Sequence, residues 1–256
     1  MKAKAKINAF LKILGLDDRK YHFISSRFIL VDELYDELIF TKDKQNDGFE
    51  IISNFHCDDN IIEKAFNLLC NSGFKNELDE FFKIHSLKLI KNIPTCAGLG
   101  GGSSDAACFL KMMNEALNLK LSKNDLIKLS IKLGSDVAFF LSDFKSANVS
   151  GFGEIISEFD DDEFKFKLVF PDVKCETPLV YKEFDSLKDF VLDEKKIKLF
   201  EVLKTRELFS FKNTVLNDLF TPCVSLYPKM SYFMNNGYFL SGSGSSVFEV
   251  LSEDNS

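Results

Sequence analysis

Tryptophan is missing from the 256 residues, histidine occurs three times, and no two cysteines form a C-x-x-C pair. With only His22, His56 and His85 beside six scattered thiols (Cys57, Cys70, Cys96, Cys108, Cys175 and Cys223), nothing in the sequence is spaced like a zinc site. The thiols are expected to be free, as in a reducing cytoplasm. No apolar run approaches the roughly 18 residues that a membrane span requires. The opening MKAKAKINAFLKILG interleaves lysines with apolar residues, so no secretory leader is expected there. A basic excess is lacking too. The net charge of -7 and a pI near 5.2 argue against a nucleic-acid surface, so an anionic ligand must be held by a local arrangement.

What is present is enough apolar material, 45% of residues, for one large or two smaller cores. The first strand is written in period two. Ala3, Ala5, Ile7, Ala9, Leu11 and Ile13 share one face, while Lys2, Lys4, Lys6, Asn8 and Lys12 share the other. The polar loop GLDDRKYH follows, and FISSRFILV and DELIFTK read as two further strands. NIIEKAFNLLCNSG has helical spacing and a glycine stop at Gly73. HSLKLIKNIP alternates again. SSDAACFLKMMNEALNL predicts a helix with serine at its cap and Asp105 in its first turn, and SKNDLIKLSIKLG predicts another. The acidic DDDE reads as a solvated turn and FKFKLVFP as a buried strand opening a second half, which CETPLVYKEF, a helical region from Lys195 to Tyr227 and GYFLSGSGSSVFEVL complete. Without an internal repeat or a linker, the division falls softly near residue 150, giving 1–150 and 151–256.

Four glycines occupy five positions between Gly98 and Gly102, just before a helix. Each glycine costs about 0.5–1 kcal/mol of order against alanine, so the run needs a reason. It is not a Walker A loop, because no lysine follows, and Ser103 stands where a dinucleotide fingerprint needs its third glycine. A tight strand-to-helix turn accounts for one or two glycines. Four, with Ser103 and Ser104, point to phosphate held on bare N–H groups at a helix N-terminus. Phosphoryl transfer also needs a carboxylate to accept a proton and a cation to hold developing charge. Asp136, in LGSDVAFFL, is the best carboxylate; its alternative is a helix N-cap. Lys6 is the best cation; its alternative is an ordinary exposed strand lysine.

AKIN, PTCAGLGGGSSDAA, GSDVAFF and SGSGSSVF come in the order seen in the GHMP small-molecule kinases, a resemblance that runs from Ala5 to Phe248. It implies an α+β, two-domain fold with a left-handed β-α-β unit. The N-terminal domain resembles ribosomal protein S5 domain 2, the C-terminal one is ferredoxin-like, and a cleft lies between them. AKIN through KYH, with ETPLVY, NDL and LYP, further resembles the branch that phosphorylates a cytidine diphosphate derivative of methylerythritol in the non-mevalonate isoprenoid pathway. That resemblance implies Lys6 and Asp136 as catalytic pair. The ATP phosphate loop would be Pro94, Thr95, Cys96, Ala97, Gly98, Leu99, Gly100, Gly101, Gly102, Ser103 and Ser104. Tyr21 and His22 would hold the cytosine end, with Asn8, Thr177 and Pro178 lining the same site. ATP and Mg2+ are the implied cofactors, the metal ligands being undefined with Ser104 a candidate. The partner is a small molecule, with neither nucleic acid nor membrane. Other readings are a kinase of mevalonate-type or amino-alcohol substrates, and a nucleotide-binding regulator without turnover.

Three places depart from the family pattern. Lys20 stands where relatives have a glycine before Tyr-His, AKAK replaces a serine ahead of the alanine-lysine pair, and relatives continue past Val250 through a helix and strand. The loop before Tyr21 is therefore expected to differ in shape, and the C-terminal sheet to lack an edge.

Overall fold

β1 (Lys2–Leu16) and β2 (His22–Thr41) are long strands joined by the turn at Asp17–Tyr21. The structure, a computed structural model, describes residues 1–55, 60–187 and 191–251; His56 and Cys57 lie outside the described residues. FISSRFILV and DELIFTK are not two strands but one. The acidic residues between them do not break it, because no glycine or proline interrupts the run. Two compact units divide the chain, and both β1 and β2 pass through each of them.

The first unit holds Met1–Ala5, Val31–Ile93 and Gly100–Asp143. Here the outer part of β2 pairs antiparallel with β4 (Ser86–Ile90), from Glu37 opposite Ile90 to Thr41 opposite Ser86. β3 (Ile51–Ser53) runs parallel to β4. The connection between them carries α1 (Ile61–Leu69) and α2 (Lys75–Phe82). Gly73, at φ 101°, does break the first helix, but through a short π segment the chain turns straight into α2, whose NELDEFF had not been read as helical. α3 (Gly101–Ala116) packs on α1 and on α5 (Val137–Ser142), and α4 (Lys123–Ser130), capped by Ser122 and Asp125, packs on α5. The abundant phenylalanines fill the space that tryptophan does not. Phe49 stacks on Phe66 at 4.2 Å, and Phe82 meets both edge-on.

The second unit holds Lys6–Leu30, Pro94–Leu99 and Phe144–Ser256. The inner part of β2 pairs with β5 (Ser146–Gly151), from Ile24 opposite Gly151 to Ile29 opposite Ser146, and β5 pairs with β6 (Ile155–Glu158). A separate antiparallel sheet has the order β7 (Phe166–Val169), β9 (Val247–Val250), β8 (Phe239–Leu240). α6 (Thr177–Asp185) packs on α10 (Phe220–Leu226) over a core that includes Leu11, Ile13, Val180, Phe184, Leu219 and Val247. The region from Lys195 to Tyr227 is helical as expected, divided into four short helices, α7 (Glu194–Val202), α8 (Thr205–Leu208), α9 (Asn213–Leu216) and α10. Its breaks have partners. Arg27, fully buried, donates to the carbonyls of Phe200, Glu201 and Leu203 at the end of α7, and burial lowers its pKa to about 10. Asp161, within the DDDE turn, accepts from the Thr205 backbone N–H and hydroxyl, so that turn is anchored and not merely solvated. Among the described residues no helix is long and apolar enough to cross a membrane.

Candidate active site

Period two places Lys6 and Asn8 on the polar face of β1, yet both are buried, at 4% and 2% exposure. The exposed-lysine alternative is thereby overturned. The ammonium donates to Asn8 Oδ1 at 2.7 Å and to the Gly98 carbonyl at 3.2 Å, and lies 4.4 Å from the centre of the Phe28 ring. Asn8 is oriented in turn by its amide donating to Ser26 Oγ at 2.9 Å. The Lys6 backbone N–H also bonds the Leu99 carbonyl, so strand and glycine loop are stitched at the same point.

The loop holds its shape by backbone contact. Gly98 (φ 73°) sits against the SGSGSS segment so closely that a Cβ there would fall 2.0 Å from the Ser241 carbonyl oxygen. Ser241 Oγ donates to the Gly98 carbonyl at 2.9 Å, and Ser246 N–H donates to that of Ala97. Gly242 (φ 57°) repeats the arrangement from the other side, since a Cβ there would fall 3.3 Å from Gly98. Gly101 has a packing role as well. A Cβ on it would meet the Ile93 side chain at 2.9 Å, so its bare side faces protein. Two of the four glycines are thus explained by packing, as the bland alternative has it. Gly102, exposed, leaves open backbone at the start of α3.

Helix α3 begins at Gly101, with Gly100 in the left-handed conformation (φ 69°) as its N-cap, and not at a serine. Ser103 and Ser104 therefore lie in the first turn. The first N–H groups of a 16-residue helix point out of its end, where an anion is favoured. Asp105 falls beyond the first turn. It is buried and ion-paired with Lys91 at 2.6 Å, so it does not serve the dipole there. Lys91 also bridges to Asp36, whose Oδ1 accepts from the backbone N–H of Asn92 and Ile93, the residues that lead into Pro94. Burial, against the pull of Lys91, raises Asp105 to about 7, and Asp105 Oδ1 is without a partner among the described residues.

Asp136 occupies the N-cap position of α5 with helical backbone angles, but its side chain makes no capping bond. A helix cap does not explain the residue. It belongs to the first unit together with Gly100–Ser104; Lys6, Asn8, Pro94–Leu99 and the remaining site residues belong to the second.

At the far end of β1, Lys20 takes φ 66°, the left-handed conformation a glycine would adopt freely. The substitution expected to reshape this loop leaves its backbone in the glycine-type region. Tyr21 is 62% exposed, while His22 Nε2 pairs with Asp185 Oδ1 at 2.7 Å. Thr177 Oγ1 bonds Ser243 Oγ at 2.7 Å, tying the start of α6, where Pro178 stands, to the SGSGSS segment. Asn217, in NDL, donates to the carbonyls of Leu240 and Gly242. Asp218 beside it bonds Lys12 and the Ile13 N–H of β1. Asp185, Asp36 and Lys91 stand in no motif of the sequence, and the roles of Ser241 and Ser243 within SGSGSSVF are not readable from it. Their partners are 14 to 163 residues away, and no local pattern announces such a pairing.

The family model for the GHMP kinases N terminal domain matches residues 60–143. The 4-diphosphocytidyl-2-C-methyl-D-erythritol kinase of Campylobacter jejuni is 58% identical over 98% of this chain and 99% of its own length. The enzyme of that name from Sulfurimonas denitrificans is 39% identical over 99% of the chain and 97% of its own length. A crystal structure of 4-(cytidine 5'-diphospho)-2C-methyl-D-erythritol kinase superposes with a TM-score of 0.71 at 25% identity, over 99% of this chain and 90% of that one. The Methanococcus jannaschii mevalonate kinase, at TM-score 0.61 and 16% identity over 99% and 90% of the two chains, shares the fold. Judged by full-length relatives of this similarity, the chain has the α+β GHMP kinase fold and belongs to the 4-diphosphocytidyl-2-C-methyl-D-erythritol kinase family.

Proposed function

We propose that the protein transfers the γ-phosphoryl group of ATP to the 2-hydroxyl of 4-diphosphocytidyl-2-C-methyl-D-erythritol, a step toward isoprenoid precursors. The observation that carries this reading is Lys6. A buried ammonium held on Asn8 and on the Gly98 carbonyl of the glycine loop is where phosphoryl transfer needs fixed positive charge, in a chain with full-length relatives of that name.

In this reading the loop from Pro94 to Ser104 binds the nucleotide phosphates, with the free backbone N–H groups at the start of α3 as its donors. Asp136 accepts the proton of the attacking hydroxyl, and Lys6 stabilises charge on the transferred group. Tyr21 stacks on the cytosine, His22 bonds its edge, and Asn8, Thr177 and Pro178 line the same site. Mg2+ carried on the nucleotide supplies charge neutralisation. Among the described residues no group of three or more His, Cys, Asp or Glu side chains forms a metal cage. An ion carried in this way would be held by phosphate oxygens with one or two protein oxygens beside them, Ser104 being the candidate. The working division into residues 1–150 with the glycine loop and 151–256, and a cytoplasmic location, belong to the same reading.

The test is a coupled ADP-release assay on a panel of alcohols. Turnover is expected with the cytidylylated methylerythritol and not with mevalonate or homoserine. Preference for either of those would establish the alternative kinase reading, and nucleotide binding without turnover on any alcohol would establish the regulator.

A further inference from the structure

His22 opens β2 and Asp185 closes α6, and the pair is set 163 residues apart in the chain with Nε2 and Oδ1 at 2.7 Å. The imidazole is 10% exposed, and the carboxylate keeps 40%. The same helix braces the ring on its other sides, with the Tyr181 ring centre 4.7 Å away and that of Phe184 6.1 Å away. One helix therefore clamps the imidazole in a single orientation and supplies the partner for one of its nitrogens.

The consequence for the second nitrogen is chemical. An ionised carboxylate only accepts hydrogen bonds, so Nε2 carries the hydrogen in this pair. In a neutral imidazole Nδ1 is then a lone-pair acceptor, and among the described residues none donates to it. Without the carboxylate the ring is free to carry its hydrogen on either nitrogen.

We propose that Asp185 is a positioning residue that, through His22, presents Nδ1 as a hydrogen-bond acceptor and so makes the site select cytosine over uracil. This rests on the reading of His22 as the group at the base edge. Cytosine offers an amino donor at the position where a pyrimidine such as thymine or uracil carries an oxygen. An acceptor on the protein pairs with the first and sets lone pair against lone pair with the second. The simpler role for Asp185, anchoring the end of α6 to β2, would treat both bases alike.

The experiment compares wild type, Asp185→Ala and Asp185→Glu in steady-state kinetics, with the cytidine and the uridine diphosphate derivatives of methylerythritol each varied at saturating ATP. Wild type is expected to prefer the cytidine compound by about tenfold to hundredfold in kcat/KM, the range set by one well-made base-edge contact. Asp185→Ala should collapse that ratio to within about threefold, by the loss of the same contact. Asp185→Glu should restore most of it. Nitrogen-15 spectra of imidazole-labelled wild type bound to the cytidine compound should show the hydrogen of His22 on Nε2 and a bare Nδ1. An unchanged ratio in Asp185→Ala, equal losses for both compounds, or a doubly protonated His22 at the assay pH overturns the inference. The wild-type spectrum decides by itself if the variant does not fold. A wild type that turns over neither compound removes the substrate reading and this inference with it. A wild type that prefers cytidine while Asp185→Ala keeps the preference removes this inference alone.

Discussion

Lys6 and Asp136 illustrate how one residue type changes meaning with its surroundings. Period two put Lys6 on a polar face, which for an edge strand means solvent, but the structure buries it against Asn8, Gly98 and Phe28. Replacing Lys6 with Met removes the donor from two buried acceptors and should lower kcat by more than it changes the KM for ATP. Asp136→Asn keeps the size of the side chain and removes the proton acceptor. Its kcat is expected to fall by about 10²–10⁴-fold with the ATP affinity near wild type, since the proton is accepted only as the transition state forms. Single-turnover kinetics with calorimetric ATP binding check this, and wild-type turnover would dismiss Asp136 as the base. The double change Tyr21→Ala, His22→Ala is expected to raise the KM for the cytidylylated alcohol by a factor equivalent to about 1–3 kcal/mol, the scale of base stacking. The KM for ATP should stay put, and an equal rise in both would reduce the pair to loop packing.

For the elements, the glycine loop and α3 divide the four glycines by task. Gly98 has both a left-handed backbone and a carbonyl oxygen where its Cβ would be. Gly98→Ala should therefore cost about 2 kcal/mol or more of stability and distort the loop that Lys6 bonds. A Cβ on Gly102 would meet only the Ile61 side chain, at an ordinary 3.5 Å. Gly102→Ala is expected to keep the melting temperature of wild type, because alanine suits a helix, while raising the KM for ATP at the open end of α3. Thermal melts alongside ATP titrations separate the two. A Gly102→Ala protein with unchanged ATP affinity would limit the phosphate contacts to other positions. Gly101→Val belongs with Gly98, because its side chain would strike Ile93 before it reached any ligand.

At the scale of the whole molecule, the buried Asp36–Lys91–Asp105 group ties stability to pH. Burial lifts Asp105 to about 7, far above an unfolded aspartate, so the folded protein binds a proton that the unfolded chain has already released. Raising the pH from 5 to 8 thus costs stability through this residue, on the order of 2 kcal/mol. Asp105→Asn has no such proton to lose. Urea unfolding should show the variant gaining on wild type by that amount between pH 5 and pH 8, and a constant difference would mean that Lys91 keeps Asp105 ionised throughout.

What the sequence determined by itself is what local physics writes into it. The alternation of β1, the helix after the glycines, the Ser122 cap of α4 and the ordered series of glycine- and serine-rich motifs were all legible before any fold was known. The left-handed Lys20 was not, since a residue with a Cβ is expected to avoid that conformation and only its surroundings hold it there. Nor was the union of FISSRFILV with DELIFTK, which depends on β4 and β5 pairing along different parts of one strand. Tertiary structure alone decided which polar groups are buried and with whom. Lys6 with Gly98, His22 with Asp185 and Lys91 with two carboxylates are partners over 14 to 163 residues. A charge or imidazole acquires its chemistry from the partner that replaces water, and that partner is chosen by packing, not by neighbours in the chain.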